Sequence, residues 1–395
     1  MKTESNRTNQ FKTDVRQWAV RMCDSVIKRD PVLPEHWSYD YGVVFKGMEQ
    51  VWLMTGNIDY YNYIKRNMDQ FLDNDGNIKT YSPGEYNIDH INNGKLLLLL
   101  YKQTGEMKYK KAAYLLRSQL DTHPRTSEGG FWHKAIYPHQ MWLDGLYMGA
   151  PFYAEFAELF HEPGAFDDVA NQFILMNRHG REPKTGLLYH GWDESREQKW
   201  ANKETGVSPN FWGRSLGWFS MAIMDTLDFL PESHKDRKEM IDIVKGIIGA
   251  ILSVQDQSTG LWYQVLDQGA RKGNYLEASA SCMFLYAIIK AVRKGYMGDE
   301  NIEAAMKAYK GIGNHFVEVD SLGDVNLKST CMVAGLGGIP YRDGTYDYYI
   351  NAPVKYNDLK GIGAFILGCS EIENYFMGNN GHIRGQSYDS GNKST

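Results

Sequence analysis

The sequence predicts an all-α protein arranged as an (α/α)6 barrel, with six inner helices enclosed by six outer ones. Three observations lead to this class. First, a helical hairpin repeats. TGNIDYYNYIKRNMDQF from Thr55 and TGEMKYKKAAYLLRSQL from Thr104 align at an offset of 49 residues, matching Thr55/Thr104, Gly56/Gly105, Tyr60/Tyr109 and Gln70/Gln119. In each copy one helix stops at Thr-Gly and another starts within a few residues, as expected where Gly supplies the left-handed closing residue. Second, six stretches are apolar on nearly every side and alternate with amphipathic ones such as 235–252. A helix apolar all round must be buried all round. Third, strand-like runs are few and short, which argues against β and α/β classes. An open helical solenoid is the alternative arrangement of the same hairpins.

The elements follow in order. Val15, Trp18, Met22 and Val26, at spacings of 3, 4 and 4, mark one face of a first helix. The apolar helices start near Tyr41 (DYGVVFKGMEQVWLMTG), Asp89 (IDHINNGKLLLLLYKQTG), Asp144 (LDGLYMGAPFYAEFAELF), Arg214 (GRSLGWFSMAIMDTLDFL), Glu277 (LEASASCMFLYAIIKAV) and Asp358 (NDLKGIGAFILGCSEIEN), at intervals of roughly 50 to 80 residues. Short Gly-aromatic stretches, GFWH at 130–133, GLLYH at 186–190 and GLWYQ at 260–264, precede several of them. Residues 1–377 are expected to form one barrel. The tail from Gly378 has no core pattern and is expected to be mobile.

Composition excludes several functions. A chain of 395 residues buries about three-quarters of its extended surface, ample for a large core. Lys and Arg number 43 against 48 Asp and Glu, a net charge of −5 with no basic block, which disfavours a nucleic-acid partner. The longest aliphatic run, 96–100, is too short to span a membrane. The N-terminus, MKTESNRTNQFK, is polar and lacks an apolar leader segment. Cys23, Cys282, Cys331 and Cys369 lie far apart with no CxxC pair, and read as buried free thiols. Together these favour the cytoplasm, with the periplasm as the alternative if a leader has been removed. The sequence does not fix an oligomeric state. The 10 Trp, 26 Tyr and 16 Phe often stand beside Gly, Asp, Asn or His, a combination suited to stacking on sugar rings as well as to a core.

In such a ring the loops leading to the inner helices gather at one mouth, where helix N-termini favour an anion. Tyr41, Asp89, Asp144, Trp212 and Arg214 stand at these starts, with His133 and His190 in the preceding loops. An Arg clamps a carboxylate, rings stack on pyranose faces and a carboxyl group moves protons, so an acidic-sugar site is the functional reading. Each residue also has a plainer role open to it. Asp144 and Asp89 are placed to cap helices, and the two histidines can be structural. Asp144, in HQMWLDGLYMGAPF, sits among large apolar groups that would raise a carboxyl pKa, while the helix terminus opposes this; Asp89 is a candidate for the second anion that would help. Arg214, between Trp212 and Trp218, needs a partner, and where no protein acid reaches it an anionic ligand can. No metal or cofactor motif is present. HEPGA at His161 lacks the second His of a zinc protease, and GLGGIP from Gly335 has Pro340 in place of a third glycine.

WSYDYGVVFKGMEQVW, YNIDHINNGK, FWHKAIYPHQMWLDGLYMGAPF, GLLYHGWD, SPNFWGRSLGWFSMA and NYLEASASCMFLYAIIKA together resemble the signature blocks of glycoside hydrolase family 105, which contains unsaturated rhamnogalacturonyl hydrolases. The resemblance extends from about Trp37 to Ile289, and more weakly to about Asn374. It implies an (α/α)6 barrel that removes a 4,5-unsaturated uronic acid from oligosaccharides left by polysaccharide lyases. It implies that Asp144 protonates the double bond, that Asp89 supports it, and that Trp142, His190, Trp212 and Arg214, with His133 and Tyr41, surround the sugar. A neighbouring rhamnose, pectic or sulfated, is the preferred aglycone; Lys134, Arg196 and Lys203 are candidates for reading a sulfate. Competing expectations are a hydrolase of glycosaminoglycan disaccharides, a lyase or epimerase on the same ring, and a non-catalytic sugar-binding scaffold.

Overall fold

The computed structural model describes residues 17–34 and 36–377; Val15 and the tail from Gly378 lie outside them. Among the described residues there are thirteen α-helices: α1 (Trp18–Arg29), α2 (Tyr39–Thr55), α3 (Ile58–Asp69), α4 (Gly94–Thr104), α5 (Met107–Thr122), α6 (Leu143–Leu159), α7 (Ala165–Gly180), α8 (Gly213–Thr226), α9 (Arg237–Ser253), α10 (Ala278–Arg293), α11 (Ile302–His315), the short α12 (Tyr346–Ile350) and α13 (Leu359–Met377).

The repeated hairpin forms as the sequence requires. α2 ends at Thr55 and α4 at Thr104; Gly56 and Gly105 follow at φ 71° and 70°, their N–H groups closing on Trp52 and Tyr101. Helices α2, α4, α6, α8, α10 and α13 form the inner wall. Each packs on the next, and α13 returns to α2, so the ring closes and the open solenoid is excluded. The remaining long helices, α1, α3, α5, α7, α9 and α11, pack outside. Burial explains the apolar sequences of the inner set: in α6 every residue except Asp144, Glu158 and Leu159 is buried. Trp18, Met22 and Val26 of α1 are buried on the predicted face.

Among the described residues, six strands of two or three residues form three antiparallel pairs: β1 (Gln140–Trp142) with β2 (Gly191–Asp193), β3 (Val317–Val319) with β4 (Val325–Leu327), and β5 (Thr330–Cys331) with β6 (Val354–Lys355). The first and third pairs join segments that have helices between them, while β3–β4 is a local hairpin. All four cysteines are free and buried. Among the described residues, no helix is long and apolar enough to cross a membrane.

Candidate active site

Pairing of β1 with β2 sets Trp142 opposite Gly191, and the Leu143 N–H donates to the His190 carbonyl at 3.0 Å. That register brings the next side chains together. Asp144 Oδ2 lies 3.1 Å from His190 Nε2, although the two lack the alignment of a hydrogen bond. Glycine at 191 lets the strands close tightly: a Cβ there would stand 2.7 Å from Leu336 Cδ1 and 3.0 Å from Trp142 Cδ1, so those side chains would have to move. Asp144 does not cap its helix: Trp142 occupies the N-cap and Asp144 falls in the first turn, leaving its carboxyl free.

His190 is fully buried between two indoles, its ring 4.8 Å from Trp212 and 5.5 Å from Trp142. Its Nδ1 lies 2.7 Å from the Tyr349 hydroxyl. Burial pushes the Tyr349 phenol well above its ordinary pKa, so it keeps its proton. A hydroxyl that donates to Nδ1 leaves the imidazole hydrogen on Nε2, toward Asp144.

Arg214 is 1% exposed and stacks over Trp212 at 4.8 Å. Its guanidinium donates to the Cys331 carbonyl and, at 3.4 Å, to the Met332 carbonyl, brought there by the β5–β6 hairpin. Among the described residues no carboxylate lies within 4 Å of it. Glu277 and Asp358 act on its charge from beyond that distance, so its direct partners are carbonyls and a carboxylate ligand could still pair with it at close range.

Asp89 lies in a short 3-10 turn, Ile88–Ile91, capped by Asn87 rather than by itself. Its carboxylate sits 2.7 Å from Lys134 Nζ and 3.7 Å from His133 Nε2. Burial works to raise its pKa, but Lys134 and His133 outweigh it, and the carboxyl ends below its ordinary value. Asp89 is therefore a fixed anion at neutral pH. His133 is driven down to about 4 by burial, so it is neutral there. It stacks on Trp142 at 4.3 Å, as does Tyr137 at 4.8 Å.

Seven of the eight expected site residues converge here, and Tyr41 does not. It stacks on Phe71, with ring centroids 6.4 Å apart, at the junction of inner and outer helices. Tyr39, about 200° away around α2, takes the place expected of it. Burial raises the Tyr39 phenol well above its ordinary pKa; Asp89, Asp40 and Asp144 add to that and Arg214 opposes it, so the hydroxyl lies within the field of the site. Of the sulfate candidates, Lys134 is engaged by Asp89, Lys203 donates to the Arg196 and Gln198 carbonyls, and Arg196 is exposed. Sequence reasoning missed Tyr39, Tyr137, Tyr349 and Arg342. The tyrosine-rich run YRDGTYDYYI at 341–350 was the available signal for the last two. Among the described residues, one His/Asp grouping has ligand spacing: Asp167, His234 and Asp236, on the outer helices, with Lys235 2.9 Å from Asp167.

The sequence profile of Glycosyl Hydrolase Family 88 matches residues 17–376. The chain belongs to this family of glycosidases. A glycoside hydrolase of family 105 from C. acetobutylicum ATCC 824 superposes with a TM-score of 0.89 at 49% identity, over 91% of this chain and all of that one. The unsaturated rhamnogalacturonyl hydrolase YesR of Bacillus subtilis is 29% identical over 279 residues, 68% of this chain and 74% of that protein. The unsaturated glucuronyl hydrolase of Bacillus sp. GL1 shares the fold, with a TM-score of 0.66 at 12% identity over 91% of this chain and 95% of that one.

Proposed function

We propose that this glycosidase removes a 4,5-unsaturated uronic acid from the non-reducing end of lyase-generated oligosaccharides, with rhamnose as the neighbouring sugar. The observation that carries the reading is the gathering, around His190 and Trp212, of a carboxyl group that does not cap its helix, Asp144, and a buried guanidinium, Arg214, with no carboxylate within 4 Å among the described residues. The similarity to a rhamnogalacturonyl hydrolase supports the choice of rhamnose.

In this mechanism Arg214 receives the uronate carboxylate. The Trp212 and Trp142 rings hold the flat unsaturated sugar, and Tyr39 and Asp89 take its hydroxyls. Asp144 delivers its proton to C4. Positive charge spreads over C5 and the ring oxygen, and a water molecule adds at C5 as the Asp144 carboxylate takes one of its protons. The resulting hemiketal opens to a ketone at C5, leaving C1 as a hemiacetal that expels the aglycone alcohol. One acid suffices because the step is hydration of an enol ether. Displacement at the anomeric carbon would need two carboxyl groups at a fixed separation, and Asp89, tied to Lys134, is not a proton donor at neutral pH. The four free thiols suit a reducing compartment, and we place the enzyme in the cytoplasm.

The test is spectroscopic. Unsaturated uronyl-rhamnose is expected to lose its conjugated-alkene absorbance on addition of the protein, with release of rhamnose. A rise in absorbance from a saturated polymer would instead identify a lyase, and an unchanged spectrum with every unsaturated disaccharide would dismiss the proposal.

A further inference from the structure

His190 lies at the middle of a row of contacts whose two ends are guanidinium groups. Arg214 stands 4.8 Å from the Trp212 ring, Trp212 is 4.8 Å from His190, His190 is 5.5 Å from Trp142, and Trp142 is 5.8 Å from the Arg342 guanidinium. Arg342 belongs to the GLGGIPYR loop, which the catalytic reading leaves unused. The loop is built around it. Nε donates to the Gly337 carbonyl at 2.8 Å, and Nη2 donates to the Tyr137 hydroxyl at 2.6 Å and to the Leu336 carbonyl at 3.2 Å. A Cβ on Gly335 would lie 2.4 Å from Nη1, so only glycine lets the guanidinium rest against that backbone.

The half-buried fork is thus held rigidly, yet its charge is not met. Its anchors are two carbonyls and a phenol. Among the described residues no carboxylate lies within 4 Å of it, and Nη1 donates no hydrogen bond. The acids nearby are committed elsewhere. Asp343 accepts from the Thr345 N–H and hydroxyl at 2.9 and 2.8 Å, and Asp89 holds Lys134 at 2.7 Å. An arginine cannot shed its proton to escape this position, as a lysine can. With Nε and Nη2 engaged, its two Nη1 hydrogens are the donors left for an anionic oxygen.

We propose that Arg342 is a specificity-determining residue that binds an anionic group, a sulfate ester or a carboxylate, on the sugar that leaves. This rests on the hydrolase reading above. The preferred substrate then carries negative charge on both sides of the bond that breaks, with Arg214 reading the unsaturated uronate and Arg342 its neighbour.

The experiment compares three disaccharides with the same unsaturated uronyl group, followed by alkene absorbance. The second sugar is plain rhamnose, sulfated rhamnose or a uronic acid. The wild-type enzyme is expected to favour one charged disaccharide over plain rhamnose by about tenfold or more in kcat/KM, and which one it favours identifies the anion. Arg342→Met is expected to raise KM for that substrate about thirtyfold, against about threefold or less for plain rhamnose, with Arg342→Lys between the two. Since loss of Arg342 can unsettle its loop, the unmodified enzyme supplies a second reading: its preference shrinks as salt rises from about 50 to about 500 mM. Equal or better turnover of plain rhamnose by the wild type overturns the role of Arg342 alone, as does an equal loss on all three substrates in Arg342→Met. Failure of the wild type to consume any of them overturns the hydrolase reading and this inference with it.

Discussion

At the C-terminal ends of the inner helices, cations are matched with carboxylates, the buried Lys290 and Arg293 among them. Lys102 meets Glu155 at 2.7 Å, Lys290 meets Asp225 and Asp228 at 2.6 and 2.9 Å, and Arg293 meets Glu371 through two bonds of 2.8 and 2.9 Å. At the N-terminal ends the pattern changes. Arg214 and Arg342 face carbonyls and rings, and Asp144 faces a histidine that does not align with it. The two regions share one architecture and similar burial. Paired charges close the lower end, whereas the upper end gathers an acid and two guanidinium groups that have no opposite charge in direct hydrogen-bonded contact, an arrangement suited to a charged ligand.

The sharpest way to break this comparison is to neutralise one acid at the mouth. Asp144→Asn keeps the shape and removes the transferable proton, so kcat is expected to fall about a thousandfold or more while the melting temperature stays near that of the wild type. A variant that retains a tenth of the activity would show that another group delivers the proton, and the site would have to be rebuilt around it.

The two ends also differ in what a lost arginine does. Arg293→Met strands Glu371 in the interior and is expected to cost about 3 to 5 kcal/mol of stability in denaturant titrations, with KM unchanged. Arg214→Met breaks no ion pair within 4 Å, since its direct partners are carbonyls. Its expected signature is the reverse, a KM raised about tenfold to a hundredfold with little loss of stability. Matching signatures for the two variants would mean that the mouth is structural too.

Much of this was legible in the chain. Thr-Gly stops gave the hairpins, all-round apolar runs gave the inner wall, and the polar residues heading those runs gave Asp89, Asp144, Trp212 and Arg214. The remainder needed three dimensions. Tyr39 and Tyr41 flank one residue of the same motif, and only the exact start of α2 decides which of them faces inward. Tyr349, in the short α12, and Arg342, in the loop before it, come from a connection between α11 and α13 that belongs to no repeat, so no periodicity points from it to the mouth. The chain also could not distinguish Asp225 from Asp144. Both are acids in apolar inner helices, and what separates them is that Lys290 lies across from one and not from the other.

Lys95 supplies a smaller test, because a lysine left unmatched can discharge. Its amine lies 3.9 Å over the Tyr147 ring with no hydrogen-bond partner, and burial lowers its pKa to about 7. The unfolded chain protonates this group as pH falls through about 10.4, but the folded chain does so only near 7. Stability therefore declines across that window as pH falls, and levels off below it. Lys95→Met is expected to stabilise the protein by roughly 2 to 4 kcal/mol at pH 7, with the gain vanishing by about pH 10. A gain that does not depend on pH would indicate repacking rather than release of an unmet charge.

The smallest expected effect tests whether the mouth depends on groups behind its lining. The Tyr349 hydroxyl hydrogen-bonds only His190 Nδ1 among the described side chains, and by donating there it would hold the imidazole hydrogen on the nitrogen facing Asp144. Tyr349→Phe removes that hydroxyl and keeps the ring that stacks on Trp212, with centroids 5.9 Å apart. Both tautomers then become available. In the wrong one a bare Nε2 lone pair faces the Asp144 carboxylate and repels it whenever the acid has given up its proton. The expected loss is about tenfold in kcat with KM held, since no sugar contact is removed. Nitrogen NMR of the imidazole gives the readout that a merely structural role would not move: one tautomer in the wild type, a mixture in the variant. A tenfold loss accompanied by an unchanged His190 tautomer would assign Tyr349 to packing, and would leave the orientation of His190 to its two flanking indoles.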